Sequence, residues 1–176
     1  MKIMVLLGSP RRNKSTGMMA DAFAEGARGA GHEVEVIHVG APNADFRPCI
    51  ACNWCHGKGE GACVQKDDMQ QVLAKLDGTD MIVFATPIYN WAFTPQMHAV
   101  VTRFFCRLGK PMPPYYGLIM TSADEDPYKG ALYEYEMSVE EAFKGTSLGV
   151  VTSHGAENKT EAALARAREF GANLAV

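Results

Sequence analysis

Two short, unbroken apolar runs, Ile3 to Leu7 and Met81 to Ala85, constrain this chain more than any other feature. A strand wetted on one face alternates apolar and polar residues, whereas a strand covered on both faces stays apolar throughout. Each run stops at a chain breaker, Gly8-Ser9-Pro10 after the first and Thr86-Pro87 after the second. Both therefore read as buried parallel strands. After the first, Met19, Phe23 and Ala27 fall on one helical face, Gly29-Ala30-Gly31 ends the helix, and Glu33 to Val39 resumes strand-like sequence. The opening segment is thus a βαβ unit.

The same alternation continues down the chain. Asp67-Asp68 is expected to open a helix with Met69, Val72, Leu73 and Leu76 as its apolar stripe, ended by Asp77-Gly78. A helix from Pro95 to about Leu108 follows, then a strand from Tyr115 to Ser122 and an acidic loop at Asp124-Glu125-Asp126-Pro127. Leu132, Tyr135, Val139 and Ala142 space a fourth helix, Leu148 to Thr152 forms a fifth strand, and Ala163, Ala167, Phe170 and Leu174 mark a last helix. Short apolar strands alternating strictly with helices form a parallel sheet with helices on both faces, because right-handed crossovers leave few other topologies. The expected fold is α/β, a doubly wound five-stranded sheet in the flavodoxin-like order 2-1-3-4-5. Such sheets bind ligands beyond the carboxyl ends of strands 1 and 3, where the winding reverses.

At 176 residues, one domain over 1–176 is expected, with a Cys-rich loop at about 40–64. A composition of 47% hydrophobic and 21% charged residues is that of a packed globule and excludes a disordered or fibrous chain. Seventeen Lys and Arg against twenty Asp and Glu leave a formal charge of −3, without basic blocks, so neither nucleic acid nor a membrane surface is an expected partner. No apolar run nears the roughly 20 residues of a membrane helix. The first residues, with Arg11 and Arg12 close behind, do not read as a secretory signal, so a cytoplasmic location is expected.

The segment Gly8 to Thr16 joins strand 1 to a helix N-terminus at the expected switch point. Free N–H groups and the helix dipole meet there, Ser9, Ser15 and Thr16 add hydroxyls and Arg11 adds a charge, so a phosphate fits. A capped helix start is the plainer alternative, but it needs only Ser15 or Thr16. The segment misses a nucleotide-hydrolase P-loop because Asn13 replaces the second Gly, and it lacks the G-x-G-x-x-G of a dinucleotide site. Strand 3 exits into Thr86-Pro87-Ile88-Tyr89-Asn90-Trp91, whose two aromatics either hold a flat ring by stacking or simply cover the core.

These residues resemble the NAD(P)H-dependent FMN reductases and their iron–sulfur flavoprotein relatives. The likeness lies in Gly8-Ser9-Pro10-Arg11 with Ser15-Thr16, in Thr86-Pro87-x-Tyr89-Asn90, and in Cys49-x-x-Cys52-x-x-Cys55 followed by Cys63 and Asp67-Asp68-Met69. The resemblance implies FMN, with its phosphate held by Ser9, Arg11, Asn13, Ser15 and Thr16. Its ring would lie on Pro87, Ile88, Tyr89, Asn90 and Trp91, with Thr121 and Ser122 as a third wall. Many relatives carry Lys and Asp where this chain has His98 and Thr102, while Arg103 is as the family has it. The Lys to His change bears on subunit contacts or nicotinamide preference rather than on FMN.

Cys49, Cys52, Cys55 and Cys63 place four thiols on one loop, a spacing that suits a [4Fe–4S] cubane better than the paired knuckles of zinc. Free or disulfide-forming thiols and zinc stay open as alternatives. Cys52-x-x-Cys55-His56 also spells a haem attachment motif, at odds with the expected compartment. Cys106, among aromatics, reads as a buried small hydrophobe, His154 as a loop histidine with a local partner, and Met18, Met19, Met69 and Met97 as core. Tyr115-Tyr116 and Tyr133 to Tyr135 are candidates for subunit contacts in a homodimer or homotetramer.

The expected function is electron transfer from NADPH or NADH through bound FMN to a flavin, a quinone or a similar small-molecule acceptor. No nucleophile or acid–base constellation is legible, so no catalytic side chain is nominated. The alternative is an iron–sulfur flavoprotein carrying electrons between redox proteins.

Overall fold

The computed structural model describes residues 1–174; Ala175 and Val176, the end of the expected domain, lie outside it. Five strands, β1 (Lys2–Leu7), β2 (Glu33–Ile37), β3 (Met81–Pro87), β4 (Tyr115–Ser122) and β5 (Thr146–His154), form one sheet in the order β2-β1-β3-β4-β5. Every pairing is parallel. The expected topology is thus the observed one. Successive side chains of a strand leave on opposite faces, so Met4 and Leu6 of β1 enter one core and Ile3, Val5 and Leu7 the other. Both cores need apolar residues at every step, hence the uninterrupted runs in the sequence.

Helices α1 (Ser15–Gly29) and α5 (Glu161–Ala172) cover one face, in a core built on Phe23, Val5, Val83 and Ile119. They pack closely because a Cβ at Gly26 would stand 2.0 Å from the Arg168 carbonyl oxygen, and one at Gly171 2.2 Å from that of Phe23. Helices α2 (Met69–Lys75), α3 (Pro95–Arg103) and α4 (Lys129–Glu136) cover the other face, around Phe84, Phe104, Tyr116 and Tyr135. Among the described residues no helix is long and apolar enough to cross a membrane.

Several boundaries differ from those read in the sequence. The third helix tightens to a 3₁₀ turn at Phe104–Arg107 short of Leu108, and α4 widens into a π-type turn over Met137–Ala142. Pro87 does not break β3: it pairs with Thr121 at the strand's last position, and the next amide, Ile88 N–H, donates to Thr121 O at 2.8 Å. Asp67 and Asp68 do not cap α2. The Asp68 carboxylate instead accepts from the Asp45 amide at 2.8 Å, and Asp67 pairs with Arg103.

Candidate functional site

The loop after β1 is fixed through its carbonyls. Gly8 O accepts from Thr94 Oγ1 at 2.9 Å, Ser9 O lies 2.7 Å from His38 Nε2, and Leu7 O accepts from the Gly40 amide at 2.9 Å. All three partners come from the far side of the loop, in the β2 and β3 exits. The loop then folds back so tightly that a Cβ on Gly17 would stand 1.7 Å from Arg12 O. Arg12 is drawn off by a bidentate pair with Asp21 at 2.6 and 2.8 Å, whereas Arg11 stays exposed at the mouth of the site.

Helix α1 starts at this loop without a side-chain cap; its N-cap residue is Lys14. Helices α3 and α5, by contrast, are capped by Thr94 and Thr160, which accept from Met97 and Ala163 amides. The first-turn N–H groups of α1 and its dipole are thus left for an anion. Thr16 Oγ1 hydrogen-bonds to Thr121 Oγ1 at 2.6 Å, locking the start of α1 to the end of β4.

At the β3 exit, Tyr89 and Ala92 exchange backbone hydrogen bonds of 3.0 and 3.1 Å around a two-residue turn. Asn90 (φ 52°) and Trp91 (φ 61°) form that turn in the left-handed region. Asparagine tolerates this conformation, but a tryptophan there is strained. Trp91 is nevertheless 64% exposed, and its carbonyl sits where a Cβ on Gly130 of α4 would reach within 2.5 Å.

These segments enclose a cavity of about 540 Å³ at the carboxyl end of the sheet. Of the residues that the family resemblance implies for the cofactor, Ser9, Arg11, Ser15, Thr16, Pro87, Ile88, Tyr89, Thr121 and Ser122 line it. Asn13, Asn90 and Trp91 are exposed and lie outside its lining. Sequence reading missed Lys14 and the turn after β5, which adds Gly155, Ala156, Asn158 and Lys159. That turn also follows a strand at the ligand end of a parallel sheet, and this was the available signal. Asn158 donates to Ser122 O at 2.7 Å and leaves its buried carbonyl oxygen without a partner, an acceptor available to a bound molecule.

The four loop cysteines are unpaired thiols, and together with Ile50, Val64, Arg103, Phe105 and Cys106 they line one small cavity. Asn53 (φ 54°) and Ala51 (φ 52°) coil the loop through left-handed backbone, and the Ala51 amide donates to Cys49 Sγ at 3.4 Å. Thr102 ties the loop to α3 by accepting from the Cys49 amide at 3.3 Å. Burial, aided by the nearby Cys63 and Cys49, raises the Cys55 thiol pKa, and burial pushes that of Cys106 up to about 11. Among the described residues, no three His, Cys, Asp or Glu side chains converge on a point suited to one metal ion.

Arg103, 1% exposed, donates to both Asp67 oxygens at 2.6 and 3.0 Å and to Arg47 O at 2.9 Å. Burial pulls Asp67 toward its neutral form, but the Arg103 pairing outweighs it and holds the carboxyl below its ordinary range. His98 lies 2.9 Å from Glu134. Burial raises the Glu134 pKa to about 7 and lowers that of His98. Cys106 is buried, His154 lies beside Glu157 at 3.8 Å, and Met19, Met69 and Met97 are core, whereas Met18, expected with them, is only half-buried. Tyr116 and Tyr135 are also core, so of the tyrosines considered for subunit contacts only Tyr133, at 65%, is well exposed.

Comparison with known proteins bears on these features. Two iron-sulfur flavoproteins match over 103 residues each, 58% of this chain. The one from Archaeoglobus fulgidus is 34% identical with 45% of its length matched, and the one from Methanosarcina thermophila 31% identical with 52% matched. The chain thus spans about half the length of these curated relatives. An NAD(P)H:quinone oxidoreductase from Methanothermobacter marburgensis shares the fold at a TM-score of 0.75 and 18% identity, over 100% of this chain and 96% of that one. A flavone reductase does so at 0.74 and 21% identity, over 99% and 62%. The model of the NADPH-dependent FMN reductases matches residues 1–175, and the chain belongs to that family.

Proposed function

We propose that residues 1–176 form one FMN-binding domain and that the chain is an NAD(P)H-dependent flavin oxidoreductase. One observation carries this reading: an uncapped helix N-terminus and an apolar shelf share a single cavity of about 540 Å³, a size within the usual range for small-molecule sites. Ser9, Arg11, Ser15 and Thr16 would hold the phosphate, joined by Lys14 and with Asn13 at the edge. Pro87, Ile88 and Tyr89 would support the ring, with Asn90 and Trp91 on the bordering turn and Thr121 and Ser122 opposite. The unpartnered Asn158 oxygen fits a ligand N–H or O–H. Bound there, FMN supplies acceptance of an electron pair and its release singly or in pairs. The protein's part is to bind, orient and shield, and no side chain is proposed as acid, base or nucleophile.

The four thiols support a second element, a [4Fe–4S] cluster on Cys49, Cys52, Cys55 and Cys63. An all-thiol donor set around one cavity has the right chemistry. Ligands of a single zinc ion converge on one point at about 2.3 Å, whereas thiols spread around a cavity suit a polynuclear centre. The names of the curated relatives point the same way. With a cluster, the alternative of a carrier passing electrons between redox proteins gains weight. A cytoplasmic setting and a homodimer or homotetramer joined near Trp91 and Tyr133 complete the proposal.

The test is titration of apoprotein with FMN, followed by turnover assays. NADPH or NADH oxidation at tens per second with free flavin or quinone supports the reductase. Slow reaction with nicotinamides but fast exchange with a reduced redox protein supports the carrier, and failure to take up FMN overturns both.

A further inference from the structure

We propose that Arg103 is the buried counter-charge of the thiol cavity, a positioning residue that holds the anionic cluster and, with Asp67 behind it, sets the cluster's reduction potential. The inference rests on the cluster reading above. Arg103 is almost fully buried, yet it lines the same cavity as Cys49, Cys52, Cys55 and Cys63. Its terminal nitrogens are engaged by Asp67 and by Arg47 O, while its Nε, buried as well, has no partner. A buried, charged N–H without an acceptor is a costly arrangement that native structures rarely leave unexplained. Of the other lining residues, Ile50, Val64 and Phe105 carry no acceptor, and the side-chain amides of Asn53 and Gln65 do not accept from this Nε. The free donor is explained when the cavity holds an anion.

A cubane bound by four thiolates is such an anion, and its negative charge grows by one when it takes up one electron. Its potential therefore depends on local charge and on hydrogen bonds to its sulfurs. A guanidinium at the wall favours the reduced form. Asp67 opposes it from the other side, and its side chain is wholly buried, so little solvent screens the pair. The two residues should act with opposite signs, which a merely structural ion pair would not do.

The experiment uses the full chain with its FMN, purified without oxygen and reconstituted with ferrous iron and sulfide. Iron and sulfide are counted, and the cluster's midpoint potential is followed by electron paramagnetic resonance in a redox titration. Asp67→Asn, which keeps the guanidinium, should raise the potential. The Arg103→Gln/Asp67→Asn double variant, which replaces the pair with neutral amides, should lower it by at least a tenfold shift in the one-electron equilibrium, about 59 mV. Arg103→Lys should fall between the double variant and wild type. If Asp67→Asn loads its cluster and leaves the potential unchanged or lower, the proposal is overturned, and this holds even if the double variant fails to fold. A wild-type chain that takes up no iron overturns the cluster reading itself and this inference with it.

Discussion

Replacing Gly17 with alanine separates the proposed phosphate loop from the rest of the fold. The new Cβ would stand 1.7 Å from Arg12 O, and since real contacts do not fall below 3.0 Å, the loop must retreat by about 1.3 Å. Little slack exists, because Arg12 is clamped to Asp21 and the carbonyls of Gly8 and Ser9 are tied to Thr94 and His38. Helix propensity favours the alanine by about 1 kcal/mol, while overpacking costs about 1–3 kcal/mol, so the net loss of stability is about 0–2 kcal/mol. At about 2–4 °C per kcal/mol for a chain of this size, the melting temperature falls by no more than about 8 °C. Anion binding suffers more. Displacing even one amide from a charge-assisted hydrogen bond forfeits about 1.5–3 kcal/mol, which weakens FMN by about tenfold or more. Quenching of FMN fluorescence on titration into apoprotein gives the Kd, and urea unfolding gives the stability. A folded Gly17→Ala protein that binds FMN within about threefold of wild type would refute the phosphate-loop assignment.

Thr16→Val removes the 2.6 Å bond to Thr121 and strands a buried hydroxyl, so a loss of about 1–3 kcal/mol is expected in urea. Trp91→Gly relieves the left-handed strain at φ 61° and should stabilise the chain by about 1 kcal/mol, yet weaken FMN retention; an unchanged FMN affinity would remove Trp91 from the site. Glu134 carries a pKa of about 7 in the fold against 4.5 for an ordinary glutamate. The folded state therefore binds the extra proton within that window, and this group's contribution to stability declines as pH rises through it. Glu134→Gln should flatten the decline, read as urea midpoints across the window; an unaltered slope would show that the shift is absent.

The sheet order was legible because a parallel sheet covered on both sides writes itself as unbroken apolar runs such as Met81 to Ala85, all buried here. The hydroxyls of the β1–α1 loop were legible because strand, breaker and helix start are contiguous. What the sequence hid was long-range convergence. Asn158 and Lys159 reach the cavity because β5 lies in register beside β4, a fact carried by no local pattern. Asp67 looks like a helix opener, but its carboxylate does more as the partner of Arg103, which is 36 residues away. Tyr135 was legible as part of the fourth helix's apolar face, but not as unfit for a subunit contact, because its hydroxyl finds a partner, Ser147 Oγ at 2.9 Å, that only the folded chain supplies.

The most direct test of the central claim is the visible absorption spectrum of protein purified without oxygen, taken with iron and acid-labile sulfide analyses on the same sample. Two resolved flavin bands beneath a broad brown shoulder are expected, with iron and sulfide each at about four per chain. Flavin bands alone would keep the oxidoreductase and remove the cluster. A colourless protein that also fails to take up added FMN would contradict the account.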